Sequence, residues 1–211
     1  PQFSYYNSSG FNASISGVYY QNFDPSWDFT STSLGYFNTL GKNKTLLYNV
    51  GYTKYFYTDS FEDFSNSLDL SIEIRNKKRT LGTAITASYL FGTDRSYQIV
   101  SRTFANFIVK RTSSVAMRFR PSINFIIAKQ TLAFPKTVFS NGVRVIETFS
   151  YGVFDLLNTQ ISLPFSVTSN SWDVELGYTI NLPNAIAYEQ DLKTTGFFSF
   201  SIGYMFDLNR K

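Results

Sequence analysis

Polar and apolar residues alternate along most of this chain. In SWDVELGYTINL, Trp172, Val174, Leu176, Tyr178, Ile180 and Leu182 share one parity, and Asp173, Glu175, Gly177, Thr179 and Asn181 the other. A side-chain period of two belongs to a β-strand lying between two different surroundings. TGFFSFSIGYMF repeats the pattern, with Phe198, Phe200, Ile202, Tyr204 and Phe206 against Ser199, Ser201 and Gly203. TQISLPFSVT does so with Ile161, Leu163, Phe165 and Val167, and SVAMRFRPSINFI sets Val115, Met117, Phe119, Ile123, Phe125 and Ile127 against Arg118, Arg120, Ser122 and Asn124. Residues 97–109, 80–91, 66–75, 45–57, 29–40 and 11–20 alternate as well, less cleanly in the earliest segments, which makes ten strands.

Each run has about ten residues or more, the length of a tilted strand crossing a bilayer and longer than the usual strand of a soluble protein. Alternation by itself does not say which face is inside, since a soluble ligand-binding barrel also alternates. Volume decides. About five apolar positions per strand, many of them aromatic, would overfill the interior of a closed barrel of this size, so the small and charged face is expected inside. A two-sheet soluble sandwich is the alternative, although its strands are usually shorter.

The connections also alternate in length. GKNK at 41–44, NKKR at 76–79, KRTS at 110–113 and SNS at 169–171 are short; the others are 21–28, 58–65, the brief 92–95, a stretch near 130–158, and 183–194. Short periplasmic turns and long external loops are the rhythm of outer-membrane barrels. The expected fold is thus all-β, a closed antiparallel up-and-down transmembrane β-barrel of ten strands, with both chain ends periplasmic. Twelve strands, with one added at the N-terminus, also fit. Residues 142–157 (GVRVIETFSYGVFDLL) read as another strand, but counting them would give an odd number. They are assigned to a long external loop carrying its own hairpin, with a transmembrane strand as the alternative.

At 211 residues, a single barrel domain over 1–211 suffices. The 22 Phe and 15 Tyr never gather into the roughly 20 consecutive apolar residues of a transmembrane helix. There is no Cys, hence neither disulfide nor thiolate metal site, and no His. The chain opens at Pro1 without a charged-then-apolar leader, so a signal peptide, if one existed, is expected to have been removed.

The aromatic run IGYMF closing the last strand resembles the C-terminal insertion signal of bacterial outer-membrane barrels, carried here by Phe198, Phe200, Ile202, Tyr204 and Phe206. LLNTQISLPFSV, SWDVELGYTINLPNA and FFSFSIGYMF together are similar to the last three strands of uncharacterised outer-membrane proteins of the bacteroidete type. The resemblance covers residues 159–207. It departs from the usual signal in that Asp207 to Lys211 follow Phe206. It implies an outer-membrane location and transfers no activity to particular residues.

The formal charge of +4 conceals a segregation. The short turns hold Lys42, Lys44, Lys77, Lys78, Arg79, Lys110 and Arg111 and no acid; the other connections hold ten acids, among them Asp24, Asp28, Asp59, Glu62, Asp63, Glu189 and Asp191, against four bases. Such rims keep barrel ends solvated. A basic rim also suits an acidic periplasmic partner or anionic lipid headgroups. Nucleic acid is not an expected partner, because the basic residues punctuate strands and build no groove with stacking aromatics.

On the same parity, Asp69, Glu73, Arg75, Arg102, Arg118, Arg120, Asp173 and Glu175 face the lumen. Charges confined there need partners or water. One reading is a plug of salt bridges; the other is a narrow hydrated path lined by Arg, favouring anions. Outer-membrane barrel enzymes resemble one another in relying on a His with Ser or Asp, and this chain, without His, cannot supply that general base. Asp173 with Glu175 is the remaining carboxylate pair, and Asp59, Glu62 and Asp63 could hold Ca²⁺ but lack the spacing and glycine of an EF-hand loop. No catalytic residue, cofactor or metal site is assigned. Pro164 is expected to mark a strand irregularity. The functional expectation is a non-enzymatic outer-membrane barrel, an accessory or structural subunit contacting membrane lipid and a protein partner in the outer membrane or periplasm. A narrow passive channel for ions or small solutes is the alternative.

Overall fold

Where the sequence alternates, strands form, and they form a single sheet. The computed structural model describes all residues except 21–26, 42, 59–63, 141–142, 187–188, 190 and 208–211. Its strands are β1 (Gln2–Tyr6), β2 (Phe11–Tyr19), β3 (Trp27–Leu40), β4 (Leu46–Tyr57), β5 (Asn66–Arg75), β6 (Leu81–Phe91), β7 (Arg95–Ala105), β8 (Phe107–Arg111), β9 (Val115–Phe119), β10 (Ser122–Ser140), β11 (Val143–Ser162), β12 (Phe165–Ser169), β13 (Trp172–Pro183) and β14 (Thr195–Tyr204). All are antiparallel to their neighbours, in the order β1-β2-β3-β4-β5-β6-β7-β10-β11-β13-β12-β9-β8, with β14 on the far side of β13.

The apparent crossovers are interruptions within longer strands. β7 and β8 are one run broken at Asn106, β9 and β10 one run broken at Arg120 and Pro121, and β11 and β12 one run broken at Leu163 and Pro164. Proline has no N–H to give to the ladder, so two of these breaks fall where the sequence removes a donor. The irregularity expected at Pro164 is therefore present; its carbonyl still accepts from Arg120 N at 3.0 Å. Read this way, the sheet is an up-and-down meander of eleven runs: the ten expected ones and β1.

The closed barrel of ten or twelve strands is not what the chain forms. Among the described residues β1 pairs with β2 alone and β14 with β13 alone, so the sheet is open, with β1 and β14 as its edges. The parity of the meander explains this. In an up-and-down sheet with an odd number of runs, the first and last point the same way, and joining them would require a parallel seam in a sheet that is antiparallel everywhere else. The extra run also places Pro1 and Met205 at opposite ends of the sheet, against the expectation of both ends on one side.

Residues 142–157, expected in a looping hairpin, belong from Val143 onward to β11. β10 and β11 stay paired from Ser122 opposite Ser162 up to Ser140 opposite Val143, while β7 accompanies β10 only to Ala128 and β13 accompanies β11 only from Asn158. The pair thus continues past its neighbours as a two-stranded ribbon, which is the hairpin, built directly onto the sheet.

Short turns are tight enough to need left-handed backbone. Gly41 (φ +81°) and Lys44 (φ +50°) flank one, and Arg79 (φ +55°) and Asn170 (φ +52°) serve two others; glycine and asparagine adopt this region at low cost.

The burial of the sheet is inverted with respect to a water-soluble domain. Along β5, Leu68, Leu70, Ile72 and Ile74 are exposed, while Ser67 is buried and Asp69, Ser71, Glu73 and Arg75 are half-buried. The polar face must therefore be the concave one. Among the described residues only Ala84, Ala128 and Ile186 are buried apolar residues, and no side chain is fully buried.

Candidate functional site

Interstrand register brings the eight charged residues of the sequence reading onto the concave face, in two groups rather than one. In the first, Glu73 on β5 lies opposite Ala84 on β6, which lies opposite Arg102 on β7. The small Ala84 side chain lets the two charges meet over it, with Arg102 Nη2 3.5 Å from Glu73 Oε2. Arg75, two residues along β5, pairs with the other oxygen of the same carboxylate. Arg102 also stacks over the Phe104 ring, 5.2 Å from its centroid, a position an arginine favours. Asp69 meets no cation among the described residues; it accepts hydrogen bonds from Ser67 Oγ (2.8 Å) and Ser88 Oγ (2.5 Å).

The second group lies where β9, β12 and β13 run side by side. Arg118 is opposite Ser166, which is opposite Glu175. Arg120 reaches across to donate from Nη2 to Glu175 Oε2 at 2.8 Å, and Asp173 accepts from Thr168 Oγ1 at 2.6 Å. Asp173 and Glu175, the candidate carboxylate pair, therefore have separate partners. Arg118 has no ion pair among the described residues. Of the four acids expected to neutralise arginines, two do.

Between the groups runs a row of uncharged polar side chains, three amides and a hydroxyl. Asn124, Gln160, Asn181 and Thr195 are successive cross-strand neighbours on β10, β11, β13 and β14, beginning beside Arg102 on β7. Gln160 Nε2 and Asn158 Nδ2 both donate to Asn181 Oδ1, at 2.9 and 3.2 Å. Sequence reasoning followed the charges and passed over this row as a unit. The same parity, applied to Asn and Gln, would have marked it. Because the sheet is open, these residues line a face and do not fill a lumen enclosed by this chain.

The insertion-signal residues are together on the opposite face. Phe198, Phe200, Ile202 and Tyr204 are exposed along β14 and Phe206 just beyond it. Tyr178 packs on Phe198 and Trp172 on Tyr204, with ring centroids 4.7 and 4.9 Å apart. Asp59, Glu62 and Asp63 lie outside the described residues. Among those described, no three acidic side chains gather in a way that would hold a metal ion.

No protein-family model matches the chain, and no curated protein or solved structure shows significant similarity to it.

Proposed function

We propose that the chain is a non-enzymatic, integral outer-membrane β-protein that serves as a structural or accessory subunit of a larger outer-membrane assembly. The observation that carries this reading is the inverted burial. Leu34, Leu68, Leu70, Ile72, Ile74, Leu176, Phe198 and Phe200 stand exposed on one face while Ser31, Ser67 and Ser166 are buried on the other. In water, each large side chain left out forgoes about 1.5–3 kcal/mol of burial, and a contiguous apolar face of this extent is an aggregation surface. In hydrocarbon the same face is solvated. A tyrosine pair near a strand end agrees, since Tyr89 and Tyr97 lie opposite each other close to where β6 joins β7, at the place where amphipathic rings meet headgroups.

The subunit part of the reading rests on the two edges. Every second residue of an edge strand points its N–H and C=O away from the sheet, and hydrocarbon offers these groups no partner. β14 is ten residues long. Strands of other chains along β14 and β1 would satisfy these groups. Fractionation of cells expressing the chain tests the membrane assignment: the protein is expected in the outer-membrane fraction, resistant to alkaline carbonate and soluble only with detergent. Recovery as a monodisperse soluble protein without detergent would overturn it.

A further inference from the structure

Lys129 breaks the pattern of the apolar face. It follows Ala128, the last β10 residue in register with β7, and alternation puts it on the same side as Tyr97 and Phe154, the latter its partner on β11. These three line a cavity of about 410 Å³ with Gly152 and Val153. Tyr97 and Phe154 are about half exposed, at 49 and 52 %. Gly152 makes room for the lysine stem, since a Cβ there would stand only 3.1 Å from Lys129 Cε.

The ammonium is short of partners. Lys129 Nζ donates to the Arg95 carbonyl oxygen at 3.2 Å and, among the described residues, has no carboxylate within ion-pair reach. Asp155, the nearest acid in sequence across the ribbon, lies opposite Ala128 and so projects to the concave side. Asp94 spends one carboxylate oxygen on the Arg95 backbone N–H at 2.7 Å. The exposed Arg95 side chain, on the same outward parity as Tyr97, is a second cation with no ion pair among the described residues. A cation held against apolar surface requires an anion or water, and an ammonium on a flexible stem reaches for the polar edge of a bilayer.

We propose that this cavity binds the phosphate of an anionic lipid headgroup, with Lys129 as its counter-ion and Tyr97 and Phe154 flanking the start of the acyl chains. The inference rests on the membrane reading above. The position fits: Lys129 shares the strand end marked by Tyr89 and Tyr97, whose rings stack 5.4 Å apart, and basic side chains at that depth attract anionic lipid.

The test uses the full chain in mild detergent with dioleoylphosphatidylglycerol and dioleoylphosphatidylcholine as probes, retained lipid being counted by native mass spectrometry. Wild type is expected to hold phosphatidylglycerol roughly fivefold more tightly than phosphatidylcholine. Lys129→Met should abolish that preference, Lys129→Arg should keep it, and Gly152→Val, which crowds the stem, should weaken it. Unchanged preference in Lys129→Met overturns the site, as does displacement of the lipid by millimolar inorganic phosphate, which would identify a free-ion site. Flotation with phosphatidylglycerol vesicles separates the two readings. A protein that floats but shows no dependence on Lys129 sinks only this proposal, whereas one that does not float sinks the membrane assignment as well.

Discussion

Arg120 Nη2 donates to Glu175 Oε2 across the whole width of β12, at 2.8 Å. The bond ties the break between β9 and β10 to Glu175 in the first third of β13, close to where Pro164 interrupts the neighbouring run. Both side chains keep substantial access to solvent, 48 and 30 %, so the pair is worth little in isolation. A double-mutant cycle with Arg120→Met and Glu175→Gln should give a coupling of about 0.5 kcal/mol by denaturant titration in micelles. A coupling above about 2 kcal/mol would mean that the concave face is far drier than an open sheet allows.

Glu73 should matter more than Asp69. Glu73 is only 14 % exposed and serves both Arg75 and Arg102, so Glu73→Gln leaves two guanidinium groups beside a neutral amide. Asp69 receives two hydroxyl donors, and an asparagine there keeps an acceptor for one and offers a donor to the other. Glu73→Gln is expected to cost about 1 kcal/mol and Asp69→Asn about half of that or less. The reverse order, measured by the same titration, would show that Asp69 is the centre of the first charge group.

Much of this arrangement was legible in the chain, because alternation encodes which face a residue takes. Residues 66–75 show it plainly: four apolar side chains exposed, the intervening polar ones drawn in. Facing does not encode pairing. Arg102 and Arg118 share a face, but register carries one to Glu73 and the other to the row of Glu175, and register is set by turns and bulges that a single sequence displays weakly. Closure was illegible for a related reason. It turns on the parity of the run count, which Gln2–Tyr6, five residues with four of them aromatic or hydroxylated, was enough to change. The hairpin of β10 and β11 was expected, but its continuity with the sheet escaped, because a strand that outruns its neighbours carries no different local signal from one that does not. Lys129 escaped with it, one residue from where the long connection was taken to begin.

Substitutions on the two faces should diverge sharply. Leu176 and Ile202 are 54 and 58 % exposed on the apolar face, and Leu176→Arg or Ile202→Arg should impair insertion into lipid vesicles by about 2–4 kcal/mol if the sites lie near the bilayer midplane. Thr179, on the concave face beside Ser162, should accept Thr179→Arg with a much smaller loss. Equal losses at all three positions would show that both faces are packed, as in a soluble sandwich.

The orientation of the sheet can be read by labelling. The chain has no cysteine, so a single introduced thiol reports without background. The turns bearing Lys44 and Lys78 lie at one end of the strands, and the connection bearing Glu189, between β13 and β14, at the other. On the proposed outer-membrane reading, the tight turns take the periplasmic side and the longer connections the outside. A membrane-impermeant maleimide applied to intact cells should therefore modify Glu189→Cys and leave Lys44→Cys and Lys78→Cys untouched until the outer membrane is permeabilised. Met205, which follows β14 and donates from its backbone N–H to the Ser171 carbonyl, lies at the same end as those turns, so Met205→Cys should behave as they do. Because the eleven runs put the start of β1 at the opposite end, Gln2→Cys should label from outside. A barrel with both chain ends periplasmic requires it to stay protected, and that result would restore the even strand count that the open sheet denies.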